Sequence, residues 1–188
     1  EPSTGGRTVF SYEKKINNES KVQYAAGAEI QAGWFNTRVS NNRNGQPDTV
    51  QTNDDIRFLV ANFFIQGDWV INEHWFINTG ISLNRSTVQF SRLTVYPVST
   101  QKRIYRNELA PRMSLRRNFD KGFAVRTTVS RGFSPPTIAE LLPSTGVIST
   151  DLEAEYGWNY ELTLIQSLLK NKLRLEATGF YFKLNKAL

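Results

Sequence analysis

The sequence predicts an all-β protein, specifically about eight strands of a larger antiparallel, up-and-down transmembrane β-barrel. Three observations lead to this prediction: apolar and polar residues alternate along the chain, the alternating segments are long, and short and long connections follow one another in turn. All 188 residues are expected to belong to one barrel domain, because no linker or composition change divides the chain.

The alternation is clearest in the segment that begins at Val22 and ends at Trp34. Its even positions are apolar or aromatic, and its odd positions are small or polar. Two-residue periodicity of this kind is typical of a strand, whereas a helix would scatter both sets around its circumference. Comparable alternation appears near residues 59–69, 75–84, 108–116, 123–130, 156–164 and 172–181, with a weaker first strand at Arg7–Ile16.

The length of these segments favours a membrane. Many exceed the mean strand length of about 5–6 residues and reach the roughly 9–11 residues that cross a bilayer at a tilt. We therefore expect the apolar residues, such as Tyr24, Ile30, Ile81 and Leu164, to point outward into lipid while their neighbours line the inside.

The connections between the strands alternate in length. Short polar turns are expected at Asn17–Ser20, Asn72–His74, Asn118–Gly122 and Lys170–Asn171, and long links at Ser40–Asp55, Arg92–Tyr105 and Ser134–Glu155. Up-and-down barrels of the outer membrane have short periplasmic turns and longer extracellular loops. The pattern therefore predicts that all long links lie at one end of the barrel.

Large aromatic residues occur near the ends of the predicted strands. Trp69 and Trp75 flank a short turn, Trp34 precedes a long link, and Tyr156 and Trp158 follow another. Amphipathic rings favour the headgroup level on both sides of a bilayer, so these five residues are predicted to lie at the membrane interfaces. The alternative is that they fill the core of a soluble barrel.

Composition argues against several other functions. The chain has no cysteine, and its net charge of +6 is spread among acids without a basic face, so we expect no nucleic-acid partner. His74, the only histidine, lies in a predicted turn, so no catalytic residue, metal site or cofactor is expected and the protein is not predicted to be an enzyme. Asp48, Asp54 and Asp55 lack the spacing of a calcium loop. No signal peptide is apparent.

The second half of the chain resembles the barrel of TonB-dependent outer-membrane receptors, specifically the siderophore-receptor type. The residues that carry the resemblance are Leu-Ala-Pro-Arg-Met-Ser-Leu at Leu109–Leu115 and Val-Ser-Arg-Gly-Phe-Ser-Pro-Pro-Thr-Ile-Ala-Glu-Leu at Val129–Leu141. Leu152–Glu155, followed by Asn159, Tyr160 and Glu161, is similar to the family's returning strand. The first hundred residues are similar in style only.

The resemblance implies a barrel in the bacterial outer membrane that imports a scarce nutrient such as a ferric siderophore. A 22-stranded barrel with a plugged lumen is expected, as in outer-membrane transporters. The implied partners are outer-membrane lipid, a ferric chelate or similar ligand, and the TonB complex acting through a plug. Neither the plug domain nor the TonB box is recognisable in this chain, which we interpret as a barrel fragment.

The external loops are the predicted ligand site, above all the link Ser134–Glu155. Its polar and charged residues could contact a ligand, and arginines near the loop bases could bind an anion bidentately. The candidate residues are Arg103, Arg131, Ser134, Glu140, Ser144 and Thr145. The inward charges of the strands are interpreted as a wet wall that could also hold a plug or guide an anionic chelate.

Two alternative functions remain open. One is a complete eight-stranded outer-membrane barrel that acts as a passive pore or an adhesion protein; it would close on itself, whereas a fragment has open edges. The other is a soluble, lipocalin-like ligand-binding barrel, in which the apolar side chains would point inward.

Overall fold

The computed structural model describes residues 2–136, 152–170 and 172–185. These residues form a single sheet of nine antiparallel strands. The strands are β1 (Ser3–Lys15), β2 (Lys21–Arg43), β3 (Gln46–Ile71), β4 (Trp75–Arg92), β5 (Thr100–Ile104), β6 (Glu108–Asn118), β7 (Phe123–Ser134), β8 (Glu155–Leu168) and β9 (Leu173–Asn185). One 3₁₀ turn, Asp120–Gly122, separates β6 from β7. Within the described ranges, no helix is long and apolar enough to cross a membrane.

The sheet is open. Its order is β1-β2-β3-β4-β6-β7-β8-β9, and each strand pairs with its neighbours in chain order. β5 is additional: it pairs with β4 at Thr87–Ser91, whereas β6 pairs with β4 at Trp75–Asn84. Eight principal strands and a partial, up-and-down barrel are therefore confirmed. β1 and β9 do not pair with each other in the described chain, so this sheet is not a closed eight-stranded barrel.

The predicted link Ser40–Asp55 was wrong, because β2 and β3 continue through it as a long hairpin. Asn44 and Gly45 form the turn, with φ angles of 52° and 83°. Two successive positive φ values suit an Asn-Gly turn between antiparallel strands. The register shifts between Val39 and Ser40 and again before Asn42, which marks a bulge in the arm.

Two other predicted boundaries differ from the structure. The first strand covers Ser3–Lys15 and not Arg7–Ile16, and the predicted link Arg92–Tyr105 contains β5. The short turns are confirmed at one end of the sheet, although Asn171 in the last of them lies outside the described residues. Most of the predicted link Ser134–Glu155 also lies outside them.

The predicted alternation agrees with the strand register, which places Tyr24, Ile30, Ile81 and Leu164 on one face of the sheet, called the convex face below. Their exposed fractions are 44%, 49%, 42% and 45%, so none of them lies in a closed interior; their contact with lipid stays a prediction. Cross-strand pairing places apolar residues beside one another on this face, as for Ile65 and Ile81. The soluble lipocalin-like alternative, which requires these side chains to point inward, is not supported.

The apolar band on the convex face has the height of a bilayer. On β3 it runs from Trp69 to Leu59 through Ile65, Phe63 and Ala61. At about 3.4 Å per residue this distance is about 34 Å along the strand, or about 24 Å along the membrane normal at a tilt of about 45°. Outer-membrane barrels have an apolar band about 25 Å tall.

A small core lies beyond this band, on the concave face. Ile56, Val88, Phe90 and Tyr105 form a buried cluster; Ile56 and Phe90 are only 1% exposed. Phe35 and Phe58 pack against it. Apolar contacts of this cluster thus hold together the ends of β3 and β4 beyond the band and the segment after β5. These elements position the site described next.

Candidate functional site

A cavity opens at the end of the sheet opposite the short turns. Its volume is about 410 Å³, and it is lined by residues 103–106 together with Glu108, Glu153 and Ala154. This volume lies within the range of about 300–1,000 Å³ that is typical of ligand pockets. The lining combines the end of β5, the start of β6 and the segment before β8.

Most charges around the cavity are paired. Glu108 accepts a hydrogen bond from Arg131 at 2.8 Å between Oε2 and Nη2, and both side chains are mostly buried. Arg131 also donates to the carbonyl of Leu109 and lies over the Tyr156 ring, 4.4 Å from its centroid. Arg106 lies 3.5 Å from Glu153 and is largely exposed. The two carboxylates of the rim, Glu108 and Glu153, are therefore each held in an ion pair with an arginine.

Arg103 differs from the other arginines of the cavity. Its Nη2 donates to the carbonyl of Leu152 at 3.2 Å, and its guanidinium lies 5.7 Å from the centroid of the Tyr105 ring. Its Nε is buried and has no hydrogen-bond partner among the described residues. A buried donor without a partner is costly.

An ion pair closes the outer end of the apolar core. Arg92 donates to Asp54 through two bonds, Nε to Oδ1 at 2.8 Å and Nη2 to Oδ2 at 3.0 Å. The hydrogen bond to Asp54 raises the pKa of Arg92. The guanidinium also lies 5.6 Å from the centroid of the Phe90 ring. Planar bidentate pairs of this kind fix geometry as well as charge, so β3 and β4 are clamped together here.

The predicted ligand residues fall into three groups. Arg103 lines the cavity and Arg131 contacts its rim through Glu108. Ser134 lies exposed at the end of β7, opposite Glu155. Glu140, Ser144 and Thr145 lie outside the described residues. Ligand binding by all six remains a prediction.

Sequence reasoning missed Tyr105, Arg106 and Glu153. The segment Arg92–Tyr105 was treated as an irregular link, although Thr100–Ile104 is a short strand with alternating exposure. The Tyr105 amide donates to the Ser86 carbonyl at 3.0 Å, which extends this pairing. The alternating residues of Thr100–Ile104, followed directly by an aromatic residue, could have indicated a short strand that ends at Tyr105. No local pattern in the sequence places Glu153 beside Arg106.

The interface aromatics form two levels. Near the short turns, Trp69 meets Tyr24 edge to face at 5.7 Å, and Arg117 lies 4.8 Å from the Trp75 ring centroid. Trp34, Tyr156 and Trp158 lie toward the opposite end of the strands. Their positions fit the predicted belts; contact with a membrane is still a prediction for each of the five residues.

Polar side chains cover the concave wall between these levels. Asn78 donates to Asp68 at 2.6 Å, and Thr128 donates to Ser114 at 3.1 Å. Arg116 and Arg126 are direct cross-strand partners. The wall is therefore polar and of mixed charge, as a hydrated lumen requires. Among the residues described, no group of three or more His, Cys, Asp or Glu side chains could hold a metal ion.

Three solved structures with a similar fold are far longer than this chain. The alcaligin outer membrane receptor FauA from Bordetella pertussis is 14% identical with a TM-score of 0.64, over 97% of this chain and 29% of the receptor. The ferric-catecholate import receptor Fiu from E. coli K12 is 12% identical with a TM-score of 0.64, over 97% of this chain and 31% of the receptor. The siderophore receptor PiuA from Acinetobacter baumannii is 12% identical with a TM-score of 0.59, over 95% of this chain and 32% of the receptor.

The chain thus spans about a third of the length of these structures, and at such low identity they show the fold alone. No curated sequence matches the chain significantly. The family described as TonB dependent receptor-like, beta-barrel, matches residues 2–187. Together with the open antiparallel sheet, the polar concave wall and the apolar convex band, this match shows that the chain belongs to the TonB-dependent receptor β-barrel family.

Proposed function

We propose that this chain is part of the wall of a bacterial outer-membrane receptor that imports a ferric siderophore. Family membership supports the receptor class. The similar structures include a siderophore receptor, an alcaligin receptor and a ferric-catecholate import receptor, which supports a ferric chelate as the ligand. Energy would come from the TonB complex acting on a plug, and the wall itself would act passively.

The observation that carries the ligand proposal is the arrangement around Arg103. Its buried Nε lacks a partner within the described chain, and the Tyr105 ring lies beside it. The neighbouring acids, Glu108 and Glu153, each contact another arginine. An anionic chelate could therefore bind Arg103 without first displacing a carboxylate. Its oxygen atoms would accept charge-assisted hydrogen bonds from the guanidinium.

The test uses the full-length receptor and two anionic probes labelled with ⁵⁵Fe, ferric dicitrate and a ferric tris-catecholate. We expect one of them to bind, and Arg103→Gln to weaken that binding about tenfold to a hundredfold, because hydrogen bonds to charged groups contribute about 1.5–3 kcal/mol. Arg43→Gln at the tip of the β2–β3 hairpin is the matched control and should bind normally.

Two results would contradict the proposal. The ferric-chelate function fails if neither probe binds the wild-type receptor. The assignment of the site fails if Arg103→Gln and Arg43→Gln bind the chelate equally well.

A further inference from the structure

Three cations lie together on the convex face, at the outer edge of the apolar band. Arg57 on β3, Arg85 on β4 and Lys102 on β5 are all exposed. Cross-strand pairing places Arg57 opposite Gln89, and Gln89 opposite Lys102, whereas Arg85 lies opposite Ala61. All three side chains therefore project from the same face of three adjacent strands, the face that carries the lipid-exposed residues below.

The outer edge of the apolar band passes through this cluster, because Arg85 lies opposite Ala61 within the band whereas Arg57 lies beyond Leu59. On β3 the last apolar residue of the convex face is Leu59, and the next outward residue is Arg57. On β4 the corresponding step is from Leu83 to Arg85. Trp34, an interface aromatic, is the cross-strand partner of Arg57. The change from apolar residue to cation on β3 and β4, together with the position of Trp34, indicates that the cations lie near the level of the lipid headgroups.

These three cations have no ion pair in the described part of the chain. None of their nitrogen atoms lies within salt-bridge distance of a carboxylate there. Asp55, the nearest acid along β3 on this face, accepts a hydrogen bond from Asn36 at 2.8 Å. This outward cluster is thus unlike Arg131 or Arg92, whose charges are matched by buried acids.

The spacing of the cluster suits a polyvalent anion. Strands are about 4.8 Å apart and rise about 3.4 Å per residue, so the Cα atoms of Arg57 and Lys102 are about 10 Å apart and those of Arg57 and Arg85 about 14 Å apart. Long, exposed side chains from these positions can converge on one headgroup. Guanidinium groups bind phosphate bidentately.

We propose that Arg57, Arg85 and Lys102 bind the phosphate of an anionic lipid headgroup in the leaflet that faces the long hairpin. The lipid's acyl chains would lie against Leu59 and Leu83, and its phosphate would bridge the cations. The proposal rests on the barrel's place in a membrane but is independent of the transported ligand. Free inorganic phosphate has the same charge but no chains to bury.

The test measures lipid binding to the full-length receptor in an uncharged detergent by native mass spectrometry. The probes are phosphatidic acid and a diacylglycerol with identical chains. We expect Arg57→Gln/Arg85→Gln to weaken phosphatidic acid binding about 30-fold at low salt, since each cation near a charged lipid surface contributes about fivefold. Diacylglycerol binding should not change.

The matched control is Arg38→Gln/Arg43→Gln, which removes the same charge from the hairpin arm farther from the band. The proposal is overturned if this control loses phosphatidic acid equally, if the test variant binds it normally, or if 10 mM inorganic phosphate displaces it from the wild-type receptor. Heat-modified mobility on a gel checks that each variant is folded. Since the ferric-chelate assay uses other residues, failure of either proposal leaves the other standing.

Discussion

Ile65→Arg is the substitution that tests the membrane position of the sheet most directly. Ile65 lies on the convex face, between Ala26 and Ile81. It is four residues from Trp69 and six from Leu59, which places it about 10 Å and about 14 Å from the two edges of the band at about 3.4 Å per residue and a tilt of about 45°. Ile65 is therefore near the midplane.

An arginine at the bilayer midplane destabilises a transmembrane barrel by roughly 2–4 kcal/mol. Since about 1.4 kcal/mol is a factor of ten, the folding equilibrium should fall about 30-fold to several hundredfold. The assay is refolding of the full-length receptor into phospholipid vesicles over a urea series, followed by tryptophan fluorescence and by electrophoretic mobility.

Gln66→Arg is the matched control for this prediction. Gln66 is the next residue on β3, is exposed, and projects from the concave face between Ala25 and Gly80. The new guanidinium should remain hydrated there, so the urea midpoint should stay close to that of the wild type. Equal losses at the two positions would refute the assigned facing, and so would a larger loss at Gln66.

Three further substitutions test the contacts beyond the bilayer and the packing of the wall. Asp54→Asn should destabilise the outer part of the sheet by about 1.5–3 kcal/mol in a urea titration, since it removes a charged, bidentate acceptor. Because the hydrogen bond to Asp54 raises the pKa of Arg92, the stability that Arg92 gains from the pair is lost only as the pH rises through that elevated value, so the effect of the substitution should be constant between pH 6 and 9. A loss that disappears within that range would contradict this. Phe90→Ala should cost about 3–5 kcal/mol and expose the outer strands to protease, and unchanged digestion would exclude a core role. Gly27→Ala should impair folding because a Cβ there would lie 2.5 Å from a backbone oxygen, whereas Gly132→Ala, with no atom within 4 Å, should be tolerated.

The part of the fold inside the bilayer was the most predictable from sequence. Hydrocarbon on one side and water on the other force every second residue to be apolar, as at Ile77, Ile81 and Leu83 on β4. The β2–β3 arm offered no such contrast, because water surrounds both of its faces. Its polar residues were therefore taken for a loop, although Asn44-Gly45 is a strong hairpin signal.

The candidate site could be predicted only in part. Arg103 was identified because cations at loop bases suit anionic ligands. Its setting depends on contacts between distant segments, such as its hydrogen bond to Leu152, 49 residues away. Local sequence patterns do not contain such pairings. The same reason explains why Glu153 was missed.

The buried cluster beyond the band shows where hydrocarbon gives way to water. On β3 the odd positions from Trp69 to Leu59 are apolar or glycine, whereas beyond Leu59 the apolar residues Phe58 and Ile56 occupy even positions. β4 changes in the same sense, from odd positions up to Leu83 to even ones at Val88 and Phe90. The apolar residues thus switch from odd to even positions, and so from the convex to the concave face, within a few residues. This switch can be read directly from the sequence. On β3 and β4 it marks the level of the outer bilayer surface without reference to any loop.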